Sequence, residues 1–207
     1  MENKGMVDEI VFYHNPKSRA QMAHWMLEEI EAPFRTVLID FAKAEHKAPE
    51  FLAINPMGKL PTIVHRGVVV TETAAIIAYL ADAFPERGLA PSLTDPLRGA
   101  YYRWLFFTAG CFEPALLDRM LKRPAAEPKS SVGYGSYEEV VDVLKKAVAA
   151  GPYLLGERFS AADVYVGSEL YFAMTFGAPD IKGEAVFEDY VARLTQRPAY
   201  RRATAGE

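Results

Sequence analysis

Cysteine is almost absent from this sequence. Cys111 stands alone among 207 residues, which excludes an intramolecular disulfide and any Cys-x-x-Cys redox or metal motif. Histidine is nearly as sparse: His14, His24, His46 and His65 lie too far apart for a sequential metal motif, so no metal is expected. The formal net charge is only −4, and no cluster of lysine and arginine forms a polyanion-binding footprint; nucleic acid is not an expected partner. Long apolar runs are missing as well. No stretch approaches the roughly 18 apolar residues that span a bilayer, so no membrane is expected. The polar opening Met1–Glu9 carries no secretory signal. The expectation is a cytoplasmic, bacterial-type globular protein.

What is present begins with core material. Half of the residues are hydrophobic, enough for one large domain or two modest ones. The most distinctive stretch is Asn55-Pro56-Met57-Gly58-Lys59-Leu60-Pro61-Thr62, two prolines and a glycine bracketing a lysine, with an apolar strand directly after it. Pro61 has no N–H and a fixed φ, so it suits a shaped corner better than a strand interior. With a cis bond before Pro61, Leu60 would present its main-chain N–H and C=O outward, where an extended peptide-like ligand can be held.

Along the first half, Glu9–Tyr13 reads as a buried strand and Arg19–Glu31 as an amphipathic helix. Ala20, Ala23, Met26, Leu27 and Ile30 form its apolar face, and Ser18 and Gln21 have capping-box spacing. Phe34–Ile39 is a second strand, and Pro49–Asn55 is one or two helical turns. Thr62–His65 and Val68–Thr71 form a hairpin about Arg66-Gly67. Glu72–Phe84 is a helix with Ala75, Ile76, Tyr79, Leu80 and Ala83 on its packed side. The order βαβαββα makes a compact α/β domain over residues 8–84. A Pro/Gly-rich linker, 85–95, follows, and a helical domain runs over 96–207.

In that second half, Pro96–Arg123 reads as one long helix capped by Thr94 or Asp95, with more aromatics than a single buried stripe needs. A loop over Pro124–Tyr134 precedes a helix opened by Ser136 and Glu139 and running to about Ala150. Ser160 and Asp163, with Phe159 and Val164 as a hydrophobic staple, start a central helix, Val164–Phe176. Asp163 is therefore read as structural. Glu184–Thr195 is expected to be the final helix, closed by Arg197-Pro198, and Cys111 is expected to be a small core residue.

Four motifs, in order and at matching spacing, resemble the cytosolic glutathione S-transferase family: NPMGKLPTIV, TETAAIIAYL, YLLGERFSAADV and RPAYRR. The resemblance covers about Ile10 to Arg201. It implies a thioredoxin-like N-terminal domain followed by the family's all-helical C-terminal domain, a homodimer, and glutathione as co-substrate. Leu60, ahead of Pro61, would bind the cysteinyl main chain of glutathione. Glu72 and Thr73 would take the γ-glutamyl end, its ammonium on Glu72 and its carboxylate on Thr73 and the helix N-terminus. His46, Lys47 and Lys59 fall where theta-like members hold the glycyl carboxylate, although His46 and Lys47 also suit a solvated turn.

The thiolate donor is left open by the resemblance. The family uses Tyr, Ser or Cys after the first strand; here Tyr13, Asn15 and Ser18 are available. Ser18 is preferred and Asn15 comes second, with Arg19 as electrostatic support. Ser18 is equally suited to a simple N-cap role, and Tyr13 to a core or sheet-end role. Lys17 stands where beta-like members place cysteine, so mixed-disulfide chemistry at that position is not expected. A hydrophobic electrophile would lie between the domains against Tyr102, Phe106, Tyr134 or Tyr137, each also suited to core packing. The implied reaction is conjugation of that electrophile to glutathione. The alternatives are a glutathione-dependent peroxidase, isomerase or disulfide-bond reductase, or a non-catalytic interaction module.

Overall fold

The computed structural model of the chain describes residues 9–205. Of the N-terminal stretch read as lacking a signal only Glu9 falls within that range, and the outermost bounds expected for the two domains, 8 and 207, lie outside it. The described chain forms two compact units, residues 9–87 with 198–205, and residues 88–197.

The first unit is built on a four-stranded sheet: β1 (Ile10–His14), β2 (Phe34–Leu38), β3 (Thr62–His65) and β4 (Val68–Thr71), in the order β2-β1-β3-β4. β1 and β2 are parallel, with Ile10 opposite Phe34. β3 runs antiparallel to β1 and forms the expected hairpin with β4. Alternation along β1 buries Ile10, Phe12 and His14 on one face. Helix α1 (Ala20–Ile30) follows β1, α2 (Pro49–Leu52) precedes β3, and α3 (Thr73–Ala83) follows β4. Met26, Leu27 and Ile30 of α1 and Ile76 and Leu80 of α3 are fully buried with Ile10, Phe12 and Ile63 as the core.

Three expectations for this unit need correcting. Ser18 does not pair with Gln21 in a capping box. Its Oγ accepts instead from the Ala20 N–H at 3.1 Å, so α1 begins at Ala20. Ala75 is exposed, and the packed side of α3 is Ile76, Ile77, Leu80 and Ala81. The expected last helix is not the last, because Pro198 opens a further one, α9 (Pro198–Thr204). A proline at the first helical position gives up an N–H that has no intrahelical partner anyway, so it starts a helix as readily as it stops one. α9 packs on α1 and belongs to the first unit, whereas the expected helical domain ran through it. Its Tyr200 ring meets Trp25 edge-on at 5.1 Å, and Arg202 Nε donates to Glu28 Oε2 at 2.6 Å. That second partner explains why Trp25, off the expected stripe, is buried too.

The second unit is all helical. Its first helix is not uniform: α4 (Arg98–Phe107) passes through a π-helical turn, Thr108–Phe112, into α5 (Glu113–Met120). Pro114 has no N–H for the Gly110 carbonyl and its ring crowds that oxygen, which accounts for the wider turn just before it. Cys111 lies on this turn half-exposed, with Sγ 3.8 Å from the Gly133 carbonyl, and is not the deep core residue expected. Tyr101, Trp104, Leu105 and Phe112 are buried, whereas Phe106 is 70% exposed. α6 (Tyr137–Ala149) is capped by Ser136 Oγ, which accepts from Glu139 N–H. α7 (Ala161–Thr175) opens with the expected capping box, and α8 (Ala185–Thr195) completes the unit. Asp163 accepts from Ser160 N–H and Oγ, Leu154 N–H and the Tyr190 hydroxyl. Burial pushes its carboxyl up, and these four donors oppose the shift. Among the described residues no helix is long and apolar enough to cross a membrane, and no cluster of His, Cys, Asp and Glu is placed to hold a metal.

Candidate functional site

Strand register gathers the candidate residues of the first unit at one end of the sheet. Tyr13 is level with Thr62, and Thr62 with Thr71. The end of β1, the start of β3 and the end of β4 therefore lie side by side, which places Asn15, Leu60-Pro61 and Glu72-Thr73 along one edge. α1 and α3 both begin at this edge; the opening N–H groups of α1 are taken up in its own first turn, Ala20 on Ser18 Oγ, Gln21 on Ser18 O and Met22 on Arg19 O, whereas α3 has no side-chain cap.

At the centre is the bond between Leu60 and Pro61, which is cis. Among the described residues the Leu60 N–H and C=O make no main-chain hydrogen bond, while the Leu60 side chain is buried beneath them. Asn55 shapes the approach. Its Nδ2 donates to Lys59 O at 2.9 Å and to Thr62 Oγ1 at 3.0 Å, and its Oδ1 accepts from Met57 N–H at 3.1 Å. Thr62 Oγ1 adds a bond to Lys59 O at 3.1 Å. Asn55 is 2% exposed, so a buried amide supplies three of the hydrogen bonds that hold the turn. Neither Asn55 nor Thr62 was marked by sequence reasoning as more than part of the octapeptide. The signal was there: a buried turn with two prolines is short of N–H donors, and an Asx residue at its head can supply one.

Gly58 locks that turn onto the next. It has φ +59°, and a Cβ there would sit 2.5 Å from the His46 carbonyl oxygen and 2.9 Å from Lys47 Nζ. Lys47 Nζ donates to Met57 O at 3.0 Å. His46 and Lys47 lie in the short 3₁₀ turn Glu45–Lys47, with the His46 ring edge-on to Phe41 at 5.0 Å. Lys59 is exposed. The structure thus brings His46 and Lys47 against the turn that carries Lys59.

On the other side, Glu72 adopts φ 67° and ψ 124°, a backbone conformation that side chains other than glycine rarely take. Its own side chain does not cap α3, and the first intrahelical bond is Ile76 N–H to Glu72 O. The opening N–H groups of α3 are therefore presented outward beside the Glu72 carboxylate and the Thr73 hydroxyl. An ammonium and a carboxylate on one α-carbon match that pairing.

The proposed thiolate donors are engaged in the turn after β1. Ser18 Oγ donates to Asn15 O at 2.7 Å while accepting from Ala20 N–H. Asn15 Nδ2 donates to Ile39 O at 2.8 Å, joining the ends of β1 and β2, and Oδ1 accepts from Lys17 N–H at 2.9 Å. One amide N–H of Asn15 is left over from that inventory. Tyr13 lies on the opposite face from Phe12, its ring 5.5 Å from Phe51.

Against known proteins, the family model for the glutathione S-transferase N-terminal domain matches residues 9–82. Glutathione S-transferase F10 of Arabidopsis thaliana is 33% identical over 149 residues, covering 67% of this chain and 68% of that protein. The chain belongs to the glutathione S-transferase family. The Escherichia coli K12 disulfide-bond oxidoreductase YfcG is 30% identical over 166 residues, covering 75% of this chain and 76% of its own. The crystal structure of a sphingomonad glutathione S-transferase complexed with glutathione superposes with a TM-score of 0.76 at 29% identity, covering 93% of this chain and 96% of that one.

Four tyrosine and phenylalanine candidates for a glutathione-transferase second-substrate pocket belong to the second unit, and they differ in availability. Tyr102 is partly exposed, its hydroxyl accepting from Arg98 Nη2 at 2.6 Å and its ring 6.2 Å from the exposed Phe106. Tyr137 is buried, donates to Pro179 O, and is pushed up to about 12 chiefly by burial. The Tyr134 hydroxyl donates to Asp118 Oδ2, which raises its pKa. Both hydroxyls are spent on internal packing, and Tyr137 is a core residue.

Proposed function

We propose that this chain is a glutathione transferase that binds glutathione as the thiolate and conjugates it to a hydrophobic electrophile. The observation that carries the proposal is the pairing at one sheet edge of a Leu60 main chain without main-chain partners among the described residues, ahead of cis-Pro61, with the strained Glu72 at an uncapped helix start. Leu60 supplies an N–H and a C=O to the cysteinyl residue. Glu72 and Thr73, with the α3 N-terminus, hold the γ-glutamyl end. His46, Lys47 and Lys59 hold the glycyl carboxylate. The sulfur then lies near the start of α1, where the helix N-terminus favours an anion. Ser18 serves it by rotating its O–H from Asn15 O to sulfur while keeping its bond from Ala20, and Asn15 adds its remaining amide N–H. Each pKa unit by which the thiol is lowered corresponds to about 1.4 kcal/mol of preference for the anion.

Tyr102 and Phe106 offer aromatic surface for the electrophile. A homodimer gives the exposed Val68 and Val69 side chains a place to be covered. The reaction belongs to the cytoplasm in this reading. No metal takes part in it.

The test is turnover of a generic aryl halide, together with thiolate absorbance of bound glutathione in Ser18→Ala and Asn15→Ala. The account expects Ser18→Ala to raise the bound thiol's pKa by about one unit or more, with a smaller rise for Asn15→Ala. An unchanged pKa in both variants would overturn the donor assignment. A second reading, disulfide-bond reduction through the same thiolate, is favoured by the likeness to YfcG. Turnover of a glutathionyl disulfide without turnover of aryl halides would select it.

A further inference from the structure

The first helix of the second unit carries a buried cation that the glutathione reading does not use. Arg98 is the first residue of α4 and only 6% exposed. A positive charge there is doubly unfavourable, because burial strips its water and the N-terminal end of a helix dipole repels it. A fork of contacts offsets that cost. Nη1 donates to Pro91 O at 2.6 Å, and Nη2 donates to the Tyr102 hydroxyl at 2.6 Å. The guanidinium also lies over two rings, 4.5 Å from the centroid of Tyr102 and 5.1 Å from that of Tyr101.

The bland account is a tie between α4 and the segment that leads into it. That segment already has two other ties: Ala161 N–H donates to Leu89 O at 2.8 Å, and Arg158 Nη1 donates to Asp95 Oδ2 at 2.8 Å. A tie to Pro91 O also needs only one terminal nitrogen. The other holds Tyr102, which is partly exposed and stands one turn along the same face of the helix. Phe106, a further four residues on, presents its exposed ring 6.2 Å from that of Tyr102. Arg98, Tyr102 and Phe106 thus form a ladder, buried at its foot and open at its top. A planar guanidinium bridges two acceptors at a fixed spacing, which the single nitrogen of lysine does not reproduce.

We propose that Arg98 is a positioning residue of the electrophile site, holding the Tyr102 ring in the one orientation that receives the second substrate. This rests on the reading of Tyr102 and Phe106 as that substrate's aromatic surface. Without the fork, χ1 of Tyr102 is free among its staggered wells, and the receptive one falls to about a half or a third of the population. Arg98 touches no substrate and acts through Tyr102.

The experiment is titration calorimetry of the full chain with reduced glutathione and with S-(2,4-dinitrophenyl)glutathione, whose aryl group reports on the electrophile site. The ratio of the two affinities isolates the aryl contact. It is measured for the wild type, Arg98→Lys, Tyr102→Phe, the double variant and Arg103→Lys. Arg103 is an exposed arginine of α4 over the Trp104 ring and serves as the control. The expected ratio falls about two- to threefold in Arg98→Lys and in Tyr102→Phe, and falls no further in the double variant. Arg103→Lys leaves it unchanged, and the affinity for glutathione itself is constant throughout. Thermal melts check folding. Tyr102→Phe keeps Arg98 and its bond to Pro91 O, so it reads the same contact if Arg98→Lys does not fold. Losses that add in the double variant, or an unchanged ratio in either single variant, would overturn the proposal and leave the glutathione reading intact. A wild type that binds no glutathione would overturn both.

Discussion

His14 closes β1 with its ring 5.0 Å from Phe12 and 5.4 Å from His24, on the face of the sheet covered by α1. Burial, with a lesser contribution from His24, lowers its pKa to about 4. His24 is lowered as well, first by burial, against the opposing pull of Glu28 and the Ala203 main chain. An unfolded chain takes up a proton on each imidazole as pH falls through about 6.5, while folded His14 resists until about 4. Stability is therefore intact above that upper value and declines across the window as the medium becomes more acid, by up to about 3 kcal/mol for His14. Thermal melts at stepped pH should show this decline, and His14→Phe should flatten much of it. Equal pH dependence in the two proteins would place the acid sensitivity elsewhere. The same scale separates the two donor candidates, since Ser18 has a single O–H already given to Asn15 O and Asn15 has an amide proton to spare. Sequence alone named both residues but could not show their engagement, because the turn that uses them is closed by Ile39, 24 residues away.

At the scale of elements, the turn over Asn55–Thr62 draws three of its side-chain hydrogen bonds from Asn55. Asn55→Ala removes three hydrogen bonds and leaves the Met57 N–H without its acceptor. At about 1 kcal/mol net for each bond, the loss is about 3 kcal/mol. The expected outcome is a lower melting temperature together with a raised KM for glutathione, because the turn presents Leu60. A melt that falls with KM unchanged would separate the turn from the ligand. α9 makes a second prediction. Ending the chain before Pro198 uncovers Trp25 and removes the Arg202–Glu28 pair, so the first unit should melt at a lower temperature. Trp25→Ala in the full chain should destabilise by about 3 to 5 kcal/mol, whereas Arg202→Ala, which breaks an exposed pair, should lose about 1 kcal/mol or less. Elements with strong local signals were legible: the capping box at Ser160 and Asp163, the hairpin about Arg66-Gly67, and the short apolar run of β1. The π turn was not, because its cause is one proline inside an otherwise uninterrupted helical pattern. α9 was missed because its sequence is short, although Trp25, off the apolar stripe of α1, already asked for a second partner.

For the whole molecule, the two-part architecture was readable from the Pro/Gly-rich stretch 85–95 and the loss of strand signals after it; the units divide at residues 87 and 88. What the pattern could not assign was the last segment, since a chain that returns to its first unit leaves no local mark. The candidate site was legible in the same uneven way. Motif spacing located Leu60, Pro61, Glu72 and Thr73. Only the strand register shows that they share an edge, and only the backbone angles single out Glu72. The central claim is that this edge grips reduced glutathione along its main chain and at both charged ends. Titration calorimetry of the full chain with reduced glutathione tests it most directly. The account predicts saturable binding of one glutathione per chain, weakened by about tenfold or more in Glu72→Ala, where an ion-paired contact is lost. Absence of heat and of saturation with the wild-type protein would contradict it.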